Sequence, residues 1–202
     1  MTGRMFVQPR GQERPRHAAV VLELDRDEFI FEDTRYFGRL TLSQRAVEAL
    51  GPEPLEHAEP PEEFVRVIQK SRRPVKVLLL DQALVASVGN IYASEACHVA
   101  GISPKRAGTK LRGPEIARLW SAVRSVLEEA IRFGSTVPLA FGSDGTKDGL
   151  FYYGRPDGAE DYYEERLRVY DRAGQPCRNC GQGIRRIVQA ARSTYFCPRC
   201  QK

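Results

Sequence analysis

The sequence predicts an α+β fold in three parts. Alternating apolar and polar residues over 18–31 predict strands, and helical periodicity over 64–133 predicts a helical body. Two C-x2-C pairs near the end predict a metal-pinned module. The length of 202 residues suits one or two small domains.

AAVVLELDRDEFIF, residues 18–31, alternates around an Asp-Arg-Asp turn and reads as a hairpin. FGRLTL reads as another short strand. Ser43 then caps a short helix, QRAVEAL, which Gly51 stops. Residues 1–51 thus form a partial, β-rich N-terminal unit. PEPLEHAEPPEE, residues 52–63, holds four prolines and five glutamates and reads as a linker, or as a surface loop within one domain. Residues 64–163 are the helical domain. FVRVIQKS, KVLLLDQALV and NIYASEACHV are its first helices, the second ending near Ser87. In EIARLWSAVRSVLEEAIRF, Ile116, Leu119, Trp120, Val123, Leu127 and Ile131 recur at helical spacing and form a core stripe. Pro114 in its first turn and Gly134 past its end suit helix termini. The Gly-, Asp- and Tyr-rich stretch 134–163 is long for a plain connection, which marks it as functional or disordered. Residues 164–202 form the terminal module.

Charge points to a partner. The chain carries a net +5, yet residues 164–202 hold nine Lys or Arg against three Asp or Glu, a surplus of +6. A basic excess gathered in one module suits a polyanion, although a solvated charged face gives the same count. No apolar run reaches the roughly 18–20 residues that span a bilayer, so no membrane partner is expected. The opening MTGRMFVQPRG lacks the apolar core of a secretory signal. The expectation is a cytoplasmic monomer, or a nuclear one in a eukaryote.

Cys177, Cys180, Cys197 and Cys200 follow C-x2-C-x16-C-x2-C. Each pair places two thiolates on one side of a tight turn, and two such turns complete a tetrahedron around one structural Zn2+. Two disulfide or redox pairs are the alternative, which a reducing compartment disfavours. Cys97, within a helix, reads as a small buried hydrophobe. Between the pairs, IRRIVQ and STYFC read as hairpin strands joined by QAAR. Arg192 sits at or beside the tip, where a guanidinium clamps phosphate. Such a finger enters a nucleic-acid groove or docks on a protein.

In LLLDQALVASVGNIYASEACHVAGISP, residues 78–104, one helix ends, a Gly-containing turn follows and Asn90 opens the next. The exposed N–H groups at that helix start suit an anion. Asn90 adds a donor or serves as an ordinary N-cap, and Lys76 offers a cation to the same phosphate.

Q-x-L-V-x-x-V-G-N-I-Y-A-S-E followed by A-G-I-S-P resembles the helix–two-turn–helix of the formamidopyrimidine-DNA glycosylase and endonuclease VIII family. R-S-T-x-F-C-P-x-C-Q is similar to that family's zinc finger, and the two occur in the family's order. MTGR, DTRYFG and LGPEPL resemble the family's G-M-[ST]-G-R, D-P-R-R-F-G and linker start. The resemblance covers essentially the whole chain. It implies a partial β-sandwich, a helix–two-turn–helix domain and a zinc-finger hairpin. It implies base-excision repair of oxidised bases in double-stranded DNA, with a damaged base flipped out of the stack and the abasic strand then cut.

By this resemblance Lys76, Asn90 and Arg192 grip phosphates beside the lesion. Met1, Arg35 and Phe37 fill the vacated space: Phe37 wedges between bases and Arg35 meets the orphaned base. The stretch 134–163 takes the place of the lesion-capping loop, although its sequence departs from T-T-L-R-D-Y. Tyr36 replaces a second arginine, and Ala19 stands where a second histidine often follows His17. The family's catalytic proline, glutamate and lysine find no match here, because MTGR lies some 70 residues into the family's pattern. Three explanations stay open: part of a full enzyme, a truncation that binds damaged or bent DNA without cutting it, or an improvised amine at Thr2. The first expectation for 1–51 is exposed apolar surface and open sheet edges.

Overall fold

The computed structural model describes residues 4–34, 36–132 and 166–202. They divide into two compact units: 4–42 with 131–132, and 43–130 with 166–202. The class is α+β, as expected.

The first unit is a three-stranded antiparallel sheet in the order β1-β3-β2. Its strands are β1 (Arg4–Pro9), β2 (Ala18–Glu23) and β3 (Asp27–Glu32). The expected hairpin turns at 24–26, and Phe6 pairs with Ile30 in the centre. Glu28, buried in the sheet, is held by a bidentate contact from Arg14. FGRLTL is not a strand: residues 37–42 make no ladder, and Phe37, Leu40 and Leu42 are largely exposed. β propensity without a pairing partner makes no strand. In the second unit, the short helix α1 (Arg45–Glu48) is shorter than expected, with Gln44 at the N-cap and Ser43 Oγ accepting from the Arg45 N–H.

The second unit is helical, closed by a hairpin. Residues 52–63 enter it as a 3-10 turn (Pro54–Glu56), then α2 (Glu62–Lys70) begins. The entering segment is hydrogen-bonded to the helical body: Ala86 N–H donates to the Pro52 carbonyl, and Ser87 Oγ to Glu53. Helix α3 (Val75–Leu79) stops well before Ser87, against expectation. Local polar groups end it. Asp81 accepts from the Ala83 N–H, while Gln82 accepts from the Ser87 N–H and donates to the Val88 carbonyl. Gln82 thus stitches the turn that leads to α4 (Asn90–Val99).

Helix α5 (Gly113–Arg132) supplies the core stripe. Ile116, Leu119, Trp120, Val123 and Leu127 are buried against Phe64, Ile68, Leu78 and Leu79. Ile131 corrects the reading, standing 68% exposed where the stripe runs past the core. Trp120 meets Phe64 edge-on at 4.8 Å, and its indole N–H donates to the His57 carbonyl at 2.9 Å. The hairpin of β4 (Arg185–Gln189) and β5 (Arg192–Phe196) ends the fold. It is fastened to the loop after α4. Ser103 N–H donates to the Lys202 carbonyl, Lys202 N–H to Gly101, and the buried Gln201 amide to Ile102.

Candidate nucleic-acid interface and metal centre

Gly89, with extended backbone, takes the N-cap position of α4, and no side chain caps the helix. The Asn90 amide is therefore not spent on its own helix start, which removes the ordinary-cap alternative. Its Oδ1 accepts a short hydrogen bond from Lys76 Nζ of α3. Its Nδ2 donates to the Ser193 carbonyl of β5 at 3.0 Å and to the Tyr170 hydroxyl at 3.4 Å. One amide joins two helices and the finger.

Arg192 opens β5 and is exposed. Its charge reaches Lys76. Burial brings the Lys76 ammonium down to about 8; Cys97 pulls it upward and the Arg192 guanidinium pushes it down. Lys76, Asn90 and Arg192 thus share one neighbourhood at the start of α4. They differ from one another in depth: Lys76 is fully buried beneath Asn90, while Arg192 is exposed. Two cations and the positive end of a helix favour an arriving anion.

Sequence reasoning missed three contributors. Arg186 of β4 donates through Nε and Nη2 to Ser193 Oγ, at 3.0 and 2.8 Å, adding a guanidinium beside the site. Tyr170 packs on Tyr195 at 5.0 Å and accepts from Asn90. Glu95, buried in α4, accepts backbone N–H groups from Arg168, Val169 and Tyr170 at 2.8–2.9 Å. That carboxylate fixes the segment entering the finger. Its signal in the sequence is that it is the one acid of α4.

The hairpin tip is strained. Ala190 and Ala191 have φ of +48° and +58°, the left-handed pair that a two-residue turn requires. This turn sets Arg192 opposite Gln189.

In the first unit, Asp33 accepts the Gly38 N–H at 2.6 Å and closes a turn that leaves Phe37 80% exposed. A Cβ at Gly38 would lie 2.5 Å from the tip of the Phe31 ring, which would have to move aside. Tyr36 sits at φ +55°, near His17. Met1 and Arg35, and the stretch 134–163, lie outside the described residues.

The metal centre forms at the other end of the finger. The sulfurs of Cys177, Cys180, Cys197 and Cys200 all lie within 4.8 Å of one another. Cys177 and Cys200 are 3.8 Å apart, Cys180 and Cys197 3.5 Å. Tetrahedral zinc with bonds of about 2.3 Å sets its sulfurs roughly 3.8 Å apart, so the four fit. None of the four is in a disulfide. Cys180 and burial push the Cys200 thiol up to about 12, a balance that a divalent cation inverts by stabilising thiolates. Four thiolates close the coordination sphere and leave no place for a reacting water. His98 of α4 lies against this centre, its Nε2 3.7 Å from Cys177 Sγ.

Two family models match the chain. The formamidopyrimidine-DNA glycosylase H2TH domain covers residues 50–139, and a zinc finger found in FPG and IleRS covers 174–202. Over its whole length the chain is 41% identical to the formamidopyrimidine-DNA glycosylase of Desulfitobacterium hafniense, covering 72% of that protein. The chain belongs to the formamidopyrimidine-DNA glycosylase family. Fold agrees with sequence: a complex of the Lactococcus lactis Fpg with abasic-site DNA is similar at TM-score 0.78 and 28% identity, over 100% of this chain and 72% of that one. A structure of MutM with DNA containing carbocyclic 8-oxo-G is similar to the same degree. In formamidopyrimidine-DNA glycosylase terms, α3, the turn and α4 lie in the helix–two-turn–helix domain. The four cysteines hold the one structural zinc ion of the finger.

Proposed function

We propose that this chain grips double-stranded DNA at a damaged base or abasic site, in base-excision repair as a DNA glycosylase acting on oxidised bases. The observation that carries this reading is the Lys76–Asn90–Ser193 chain of hydrogen bonds with Arg192 beside it. Phosphate is the anion that suits it. Arg192 binds in bidentate fashion, Asn90 donates through its amide, and Lys76 supplies charge from beneath. The zinc ion braces the hairpin that carries Arg192 and takes no part in chemistry.

Phe37, presented on the turn that Asp33 closes, suits insertion into a base step, with Arg35 and Met1 as its companions at the vacated position. Excision needs the damaged base out of the stack. No residue of the 202 is assigned as the attacking amine. No helix among the described residues is long and apolar enough to cross a membrane. A DNA partner puts the protein with the chromosome, in the bacterial nucleoid or in a nucleus.

Two measurements test the reading. The chain should bind abasic-site duplex more tightly than undamaged duplex, with an affinity that falls steeply as salt rises. Arg192→Ala should weaken binding and reduce the salt slope by about one, and unchanged affinity would remove Arg192 from the site. Borohydride trapping on abasic DNA separates cutting from gripping: a covalent adduct assigns lyase chemistry to these residues, and its absence leaves them the grip alone.

A further inference from the structure

We propose that His98 is a positioning residue for the zinc centre, its Nε2–H donating a hydrogen bond to the Cys177 thiolate and tying the metal to helix α4. His98 is 4% exposed, and its Nε2 stands 3.7 Å from Cys177 Sγ. That separation is within the range of a hydrogen bond to sulfur. A zinc-bound thiolate has lone pairs and no proton, so it only accepts. The ring nitrogen facing it must therefore be the donor, in whichever charge state the imidazole exists. Nδ1, buried on the far edge, meets no hydrogen-bond partner among the described residues. The sulfur contact is thus the hydrogen bond that the described residues give this ring, and a buried imidazole without one is costly.

The arrangement has a consequence for the metal. Four thiolates around one Zn2+ carry a net charge of about −2. A hydrogen bond from outside the ligand set draws charge off one sulfur and fixes its direction. Outer partners of this kind are typically worth about 10–100-fold in metal affinity. His98 stands on the same helix as Asn90, two turns further along. The metal centre and the start of α4 are therefore braced against one rigid element. In a thiol form of Cys177, the proton would sit on sulfur and Nε2 would accept. Metal loading then fixes which ring nitrogen carries hydrogen.

The experiment uses the full chain, with zinc content measured first at one equivalent. Side-chain nitrogen NMR of His98 should show a protonated Nε2 in the zinc form; an unprotonated Nε2 would overturn the proposal. His98→Phe keeps the bulk and removes the donor, and should release zinc to a chelator at least tenfold more readily. His98→Gln, which returns an N–H, should recover most of that loss. With cobalt in place of zinc, the sulfur-to-metal charge-transfer band of His98→Phe should move to longer wavelength, because an unrelieved thiolate gives up its electron more easily. Equal zinc retention with an unmoved band would refute the hydrogen bond. Should His98→Phe fail to fold, the NMR pattern of the unaltered chain decides.

Discussion

The Asn90 amide nitrogen donates to the Ser193 carbonyl at 3.0 Å, across 103 positions of sequence. The same side chain receives the Lys76 ammonium. Asn90→Ala should therefore do two things. It loosens the finger from α4, and it leaves Lys76 without its acceptor. Binding to abasic-site duplex should fall at least about tenfold, since a hydrogen bond to a charged group contributes roughly 1.5–3 kcal/mol. Fluorescence anisotropy at fixed salt measures it, and zinc content should stay at one equivalent.

Lys76 gives a pH signature. Its ammonium is brought down from 10.5 to about 8 in the fold. Between these values the unfolded chain holds more protons than the native one, so stability from this group rises with pH from about 8 to 10.5. Below about 8 the buried charge is a standing cost. Urea titrations at pH 7.5 and 10 should show this increment, and Lys76→Met should lose it. DNA affinity should run the opposite way, falling above pH 8 as the ammonium loses its proton.

The hairpin tip offers a gain in stability. Ala190 and Ala191 both occupy the left-handed region, at a cost of roughly 1–2 kcal/mol per residue. Replacing Ala190-Ala191 by Asn-Gly matches the turn's demand and should stabilise the hairpin by about 1–2 kcal/mol. Hydrogen exchange at Ile187 and Thr194, the next hydrogen-bonded pair, should slow, while Arg192 keeps its place and DNA binding holds.

Glu95 carries a larger load. Removing its carboxylate leaves three backbone N–H groups, at Arg168, Val169 and Tyr170, without their acceptor. Glu95→Ala should destabilise the helical unit by on the order of 3–5 kcal/mol, the range for stripping a partner from a buried charged network. Thermal unfolding followed by circular dichroism reads the loss. Glu95→Gln, which keeps one acceptor oxygen, should lie between the two.

Much of this was legible in the residues. The bounds of α4 match NIYASEACHV, the strands of the finger follow IRRIVQ and STYFC, and the cysteine spacing foretold the converging sulfurs. These features are local, set by a glycine, a turn or a tetrahedron. Three others were not. The end of α3 at Leu79 depends on where Gln82 sends its amide. The failure of FGRLTL as a strand depends on a neighbour that does not pair with it. The depth of Lys76 is set by packing, which buries a residue type that is mostly exposed. The first is decided by side-chain hydrogen bonds within a few residues and the other two by packing and pairing with other parts of the chain, all beyond the reach of periodicity.

Trp120 is the single indole in the protein. It is sealed between Phe64 and the α5 stripe and bonded to His57. Tryptophan emission, excited beyond the tyrosine band, therefore watches one place. A red shift in denaturant will date the melting of the helix bundle, while thiol release dates the finger. Any interval between the two signals would mean that the parts come apart in sequence rather than together.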